Sequence, residues 1–534
     1  MNSISCSALV RFFPPLLRLR ASLPVILLAL GFLSACHAGS TGDPGSSLKW
    51  VGTWGTAPQL VEPGNNPPSP GLSNNTLRQI VRVSIGGDSV RVRFSNEFST
   101  TPVSFLAVHC AVSKGGGTID STTDRALSFG GKSEITIAAG AAVTSDPFQF
   151  ALQPRMDIAI TICFSNSPTG LTGHPGSRTT SYLLTGNAVS RVDFSGAVTT
   201  DHWYSINAID VLGPASAASV AILGNSITDG RGSTTNMQNR WPDMLSESLL
   251  KDSSTLHVGV LNMGIGGNAV LSGGLGPTGV SRFERDILGQ HGVRWAIVFT
   301  GVNDIGGVRS ANAATATSAN LIAAYQQMVV KAHAKDIRVY GGTILPFNGH
   351  SYYNQYSELC RSTVNQWIRT RGNFDACIDF DNVMRNPQDT TRLGCATFQN
   401  DGLHPDAAAY KTMGESIDRN LFVEADPSLG VNSRETIDGY ALGQNYPNPF
   451  NPKTRVRYSV PTQSGRDGQM PGISEVRLVV YDLLGREVAT LVNETQQAGK
   501  YEVAFDGAGL ASGIYVYQIT AGSFVQARKM LLTR

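Results

Sequence analysis

The stretch "AILGNSITDG", Ala221 to Gly230, sets Ser226 in a turn directly after an apolar run. A free hydroxyl is a poor nucleophile, so a catalytic serine needs an oriented base and donors for the oxyanion. The histidines nearest in sequence, His202 and His257, lie well outside the turn, and the G-x-S-x-G elbow fails because Thr228 stands at its last glycine position. A lone serine after a strand is usually a turn residue or a helix cap. A second stretch, "GIGGNA", fits G-x-G-x-x-A after a strand and sets Glu284 and Asp286 near the spacing of a dinucleotide's ribose contact. The segment "SRFERDILGQ" that carries both acids reads as helix, whereas that acid belongs at the end of a second strand, so the glycine fingerprint is weak.

The elements that must position these residues are legible. From about Ser219, short apolar runs alternate with helical patterns: "SVAILGNS", "VGVLNMGIGG", "RWAIVFTGVND", "IRVYGGTILPF" and "ACIDFDNVM" against "WPDMLSESLL", "ANLIAAYQQMVVKAHAKD", "SELCRSTVNQWIRTRG" and "PDAAAYKTMGESIDRNLF". Five strands with crossover helices predict an α/β domain with a doubly wound parallel sheet. Ligands of such sheets bind beyond the carboxyl ends of the strands, where Ser226, Gly267 and Asn303 all fall.

The flanks read as β. From Leu48 to about Leu212, "RQIVRVSIGGDSVRVRFSN" alternates apolar and polar residues on both sides of Gly86-Gly87-Asp88, which predicts a hairpin with one buried face. "EITIAAG", "MDIAITICFSN" and "RTTSYLLTG" add strands, and a jelly-roll-type sandwich fits them. After the polar "EADPSLGVNSRETIDGY", short alternating strands return and suit an Ig-like sandwich.

Taken in order, four blocks of the central region resemble the SGNH (GDSL-type) esterase and lipase family, which implies a flavodoxin-like five-stranded sheet. "GNSITDG" matches the first block, with Ser226 as nucleophile and its amide as an oxyanion donor. "NMGIGGN" aligns Gly267, and "GVND" aligns Asn303, with the other two donors of the hole. "DGLHP" supplies Asp401 as orienting acid and His404 as base. Three residues apart, before a helix opened by Pro405, that acid and base can face one side of a turn. An Asp held on one ring nitrogen leaves the other free to accept from serine. The family usually has Asp before the nucleophile; Asn225 keeps an acceptor and adds donors. The remaining histidines beyond the leader show no evident acid partner and read as structural.

With 42 Lys plus Arg against 40 Asp plus Glu and no like-charged block, nucleic-acid binding has no electrostatic footprint. Arg11, Arg18 and Arg20 precede "LPVILLALGFL", which reads as an export signal. The run ends in "LSAC", which resembles a lipobox and implies lipidation of Cys36. Five cysteines follow the leader (Cys110, Cys163, Cys360, Cys377, Cys395) without metal-ligand spacing, so buried thiols or one or two disulfides are expected rather than zinc.

The block from "LKWVGTWGTAPQ" to "DHWYSINAIDVLG" resembles the β-sandwich before the catalytic domain of some SGNH carbohydrate esterases. Within it, Trp50, Trp54 and Trp203 read as core packing ahead of glycan stacking. "NYPNPFNP", "VYDLLGREVATLV", "LASGIYVYQIT" and "KMLLTR" resemble the type IX secretion sorting domain, which implies the secretion machinery as partner.

The expected organisation is a lipoprotein-type signal peptide (1–36), tether (37–47), β-sandwich (48–213), SGNH hydrolase domain (214–424), linker (425–440) and Ig-like sorting domain (441–534). The expected activity is hydrolysis of short acyl esters on carbohydrate, outside the cell or at the surface of a Gram-negative bacterium, with no cofactor or metal. A lysophospholipase or general lipase with the same triad, and a non-catalytic glycan-binding protein, are the rival readings.

Overall fold

Every residue of β1 (Ala218–Gly224) is buried, as expected of a strand covered on both faces. It is the second strand of a five-stranded sheet in the computed structural model, which describes residues 48–394, 401–423, 439–461, 473–497, 499–522 and 524–533. The expected leader, tether, lipidation site Cys36, Cys395 and most of the linker lie outside the described residues. The other strands are β2 (Val258–Gly264), β3 (Val293–Phe299), β4 (Arg338–Gly342) and β5 (Ala376–Ile378). Their order is β2-β1-β3-β4-β5, and every pairing is parallel. The order reverses around β1, which makes the carboxyl ends of β1 and β3 a topological switch point.

Helix α1 (Ser226–Asp229) follows β1 at once, then come α2 (Trp241–Leu249), α3 (Ala311–His333), α4 (Gln355–Arg369) and α5 (Ala407–Glu415). α2 packs against α5 and α3 against α4. Trp241 and Leu245 of α2 share one core with Leu321, Tyr325 and Met328 of α3 and the strands between. Pro405 does not open α5: Asp406 is its N-cap, with Oδ1 accepting from the N–H groups of Ala408 and Ala409. A carboxylate there satisfies two orphan donors, whereas proline at the first position only removes one. "SRFERDILGQ" is helical, as an α-turn over Gly279–Phe283 running into a π-turn over Glu284–Leu288.

The segment before β1 folds into antiparallel sheets that share a core containing Val81, Val92, Phe94, Ile160 and Ile209. The hairpin expected across Gly86-Gly87-Asp88 does not form. Strand Asn75–Arg82 pairs with Asp157–Phe164 and Ser181–Thr185, while strand Gly87–Ser95 pairs with Ile206–Gly213 and Phe148–Leu152 in another sheet. Alternation reports one buried face but not the hydrogen-bonding partner, and an arch between two facing sheets buries the same side chains as a hairpin.

After the linker, a three-stranded and a four-stranded antiparallel sheet share a core that includes Val456, Leu478, Val480, Tyr517 and Ile519. Among the described cysteines, Cys110, Cys163 and Cys360 are buried free thiols and Cys377 is an exposed one, so the disulfide alternative is not realised there.

The first N-terminal strand, Lys49–Gly55, lies against β2, with Leu261 packed on Gly52 and Met263 on Gly55 and with backbone meeting backbone at Gly52 and Gly259. A Cβ on Gly259 would sit 2.2 Å from the Gly52 carbonyl oxygen. Gly52 N–H donates to His291 O at 2.9 Å, and Ser84 Oγ accepts from Val260 N at 3.0 Å. Gly259→Val is therefore expected to destabilise the protein by about 2–3 kcal/mol through a backbone collision; urea denaturation checks this, and an unchanged midpoint would show that the contact is slack.

Candidate active site

β1 ends at Gly224, and the chain turns straight into α1 with Asn225 as cap. Asn225 Oδ1 accepts from Ile227 N at 3.0 Å, so the residue that departs from the family pattern supports the turn as a neutral cap. Ser226, the first residue of α1, has its Oγ 2.8 Å from His404 Nε2. His404 Nδ1 lies 2.6 Å from Asp401 Oδ2, and Asp401 Oδ1 accepts from the N–H groups of Leu403 and His404 at 3.0 Å each. The acid thus grips both the ring and the backbone of the histidine. With Nδ1 donating to the carboxylate, Nε2 is left to accept from serine.

Burial pushes the His404 pKa below its ordinary 6.5; Asp401 pulls it up, and the charges of Arg231 and His350 push it down further. Partial burial pushes the Asp401 carboxyl up, but the His404 backbone N–H and ring, with Leu403 N–H, outweigh it and hold Asp401 below the usual range. Asp401 therefore stays ionised beside a neutral imidazole.

Ser226, Gly267 and Asn303, the three residues expected to supply oxyanion donors, line one cleft. Among the described residues no acceptor takes the N–H of Ser226 or of Gly267. Gly267 has φ +69, a conformation that favours glycine, and it turns the loop after β2 toward the cleft. Asn303 follows β3. Its Nδ2 donates to Asn268 O at 2.8 Å and its Oδ1 accepts from Tyr352 O–H at 3.3 Å, which leaves one amide hydrogen free. Ser226, Gly267, Asn303, Asp401 and His404 all line one cleft of about 490 Å³.

One buried guanidinium ties these loops together. Arg282, with a side chain 0 % exposed, donates to Gly224 O at 2.8 Å, Met263 O at 2.6 Å, Asn268 Oδ1 at 3.0 Å and Asp286 Oδ2 at 3.1 Å. Asp304, whose carboxyl burial pushes up despite its backbone bonds, accepts from Val270 N and Leu271 N at 2.9 Å each and ties the turn after β3 to the loop after β2. Asp286 also takes Arg285, and Glu284 pairs with Lys331, so neither acid is free for a ribose. The glycine turn leads into loop, with the next helix only at Gly279.

The N-terminal sheets supply a wall that sequence reasoning left open. Gln59, Glu62, Asn65, Arg178 and His202 line the cleft together with Leu275, His350 and Tyr352. Trp54 and Trp203 pack edge to face in the core, and Trp50 lies under the Arg91 guanidinium.

Acid partners do exist for several of the other histidines: His109 with Asp124, His174 with Asp229, His291 with Asp210 and His333 with Asp375. Each acid is distant in sequence or separated by turns, which is why spacing did not reveal it. Asp229 ends the turn Ser226–Asp229, in which only Ile227 is apolar, so its burial and its need of a partner show only in the structure.

Residues 222–412 match the model of the GDSL-like lipase/acylhydrolase family, and residues 444–533 that of the secretion system C-terminal sorting domain. Among solved structures, the chain is similar to a GDSL-like lipase from Bacteroides thetaiotaomicron at 17% identity, over 38% of this chain and 87% of that one, with a TM-score of 0.28. It is also similar to an acetylxylan esterase from Geobacillus stearothermophilus at 18% identity, over 39% and 97% of the respective chains, with a TM-score of 0.30. No curated protein matches the chain.

Replacing Arg282 by Met leaves Asp286 with Arg285 alone and takes a donor away from three buried oxygen acceptors. It is expected to cost about 3–5 kcal/mol of stability in urea denaturation, and an effect under 1 kcal/mol, about the value of an exposed pair, would remove Arg282 from this role.

Proposed function

We propose that this chain, whose central domain belongs to the GDSL-like lipase/acylhydrolase family and is a carboxylic ester hydrolase, works through an acyl-enzyme on Ser226. The observation that carries this reading is the run of hydrogen bonds from Ser226 Oγ through His404 to Asp401, opening on a cleft that holds three unclaimed donors. His404 Nε2 takes the serine proton as Oγ attacks the ester carbonyl. The N–H groups of Ser226 and Gly267 and the Asn303 amide receive the oxyanion. The imidazolium then protonates the departing alcohol, and water repeats the sequence to release the acid.

The substrate we assign is a short acyl ester, such as acetyl, on carbohydrate. Support comes from the cleft wall, where amide, carboxylate, guanidinium and imidazole groups suit a hydroxyl-rich alcohol better than a lipid chain. The hydrogen-bonded triad speaks against a non-catalytic glycan binder. We further assign residues 48–213 as a jelly-roll-type sandwich that walls the cleft, 214–424 as the hydrolase and 441–534 as an Ig-like sandwich. The C-terminal sorting domain indicates secretion or a surface location, and a lipid on Cys36 would add an anchor.

Ser226→Ala should abolish hydrolysis of 4-nitrophenyl acetate and acetylated oligosaccharides, and equal activity of variant and wild type would end the serine mechanism. Strict preference for long-chain esters or lysophospholipid would end the carbohydrate assignment. Asn303→Ala should lower kcat by about 100- to 1,000-fold. Because His404 must be neutral to accept the proton and its pKa is pushed below 6.5, kcat/KM should rise with pH through a midpoint under 6.5 and level off above it; a pH profile with its midpoint above that value would contradict the assignment of His404.

A further inference from the structure

Two guanidiniums line the cleft, and among the described residues neither has a carboxylate within hydrogen-bond distance. Arg231, exposed and five residues beyond the nucleophile, is anchored by its backbone, whose N–H donates to Ser226 O at 2.9 Å. Among the described residues its guanidinium has neither a hydrogen-bond nor an ion partner, and its charge is felt at His404. Arg178 comes from the N-terminal sheets, in a turn where its φ is +52 and its carbonyl accepts from Asn236 N at 2.9 Å. Its Nε is buried without a partner, and its nearest carboxylate oxygen, Asp229 Oδ2, is 3.7 Å away. A non-glycine residue in the left-handed region persists only where its surroundings hold it. Both side chains line the cleft, and both charges act on the Tyr410 hydroxyl.

Asp229 is only partly available to Arg178, because His174 holds its other oxygen. His174 Nδ1 lies 3.0 Å from Ala57 O, which can only accept, so Nδ1 carries a hydrogen. His174 Nε2 lies 2.8 Å from Asp229 Oδ1, and that contact also needs a proton between its two atoms. Asp229 thus divides its carboxylate between His174 at one oxygen and Arg178, more distantly, at the other. Of the other acids on the cleft, Asp401 is committed to His404, and Glu62 accepts from the amides of Gln59 and Asn65 on a separate loop.

We infer that Arg178 and Arg231 form a carboxylate subsite on the alcohol side of the ester, so that the preferred substrate is an acyl ester of an acidic, uronate-bearing saccharide. The side follows from the chemistry: His404 protonates the leaving alcohol, and Arg231 is tied to the His404 side, its carbonyl accepting at 2.6 Å from the hydroxyl of Tyr410 in α5, the helix that follows the His404 loop. A planar guanidinium matches a carboxylate in geometry as well as charge, and two of them spanning both domains would read its position. This rests on the esterase reading above and narrows it.

The test uses the full chain on acetylated oligosaccharides with and without a uronate, matched in length and acetylation, and on a succinyl ester of the neutral oligosaccharide. The expected kcat/KM on the uronate ester is about tenfold or more above that on the neutral acetyl ester, the size of a charge-assisted hydrogen bond. The ratio should collapse toward one in R231Q and in the double variant R178Q/R231Q. Arg231 is exposed, so R231Q does not strip the core, and added salt should erode the ratio in the wild type without any substitution. Equal kcat/KM on uronate and neutral acetyl esters overturns the inference, as does a ratio unmoved by R231Q and by salt. Preference for the succinyl ester places the carboxylate on the acyl side and overturns it too. A wild type inactive on 4-nitrophenyl acetate instead overturns the esterase reading, and this inference with it.

Discussion

Three strands of a parallel sheet end at separate points, and Ser226, Gly267 and Asn303 hang from the loops beyond them; the Arg282 guanidinium is what makes those ends one object. It takes the carbonyls of Gly224 and Met263, the last residue but one before Ser226 and the residue that leads into the Gly267 turn. Through Asn268 it also reaches Asn303, because the Asn268 side chain accepts from Arg282 while its carbonyl accepts from Asn303. A charge buried this completely is tolerated only when nearly all its donors are used and a counter-charge is present, and Asp286 supplies that charge. Donors intended for an oxyanion must be set before the reaction, since reorganising them costs what they would gain. The buried network supplies that setting, and the cleft side of each loop stays open.

Polar economy governs the rest of the site as well. Asp401 spends one oxygen on the imidazole and the other on two backbone N–H groups, so the base cannot turn without breaking the loop that carries it. Asn225 caps α1 without adding a charge beside the nucleophile. His174, from the N-terminal sheets, closes on Asp229 at the far end of α1, so the short helix bearing Ser226 is held by segments on both sides of it. The N-terminal sheets are thereby part of the site, and the close glycine contact of Lys49–Gly55 with β2 keeps them there.

Much of this was legible in the chain. The alternation of apolar runs with helical patterns marks five strands and their crossovers, and four short blocks mark Ser226, Gly267, Asn303, Asp401 and His404 as a set. Where reading failed, the failure had a physical cause. Strands Asn75–Arg82 and Gly87–Ser95 each show one apolar face, but that face is equally buried by an arch between sheets as by a hairpin. Pro405 looked like a helix opener, yet Asp406 one position later caps better. The acid partners of His109, His174, His291 and His333 come from other elements, beyond the reach of any local pattern.

By itself, then, the sequence determined which residue types could do chemistry and on which strand ends they sit, because periodicity and turn residues act over a few neighbours. Only the tertiary structure decided that Ser226 Oγ lies 2.8 Å from His404, 178 positions further along the chain, that a buried arginine braces the loops, and that residues from another set of sheets line the same cleft. Those are contacts between distant segments, and they exist only once burial of the common core has brought the segments together.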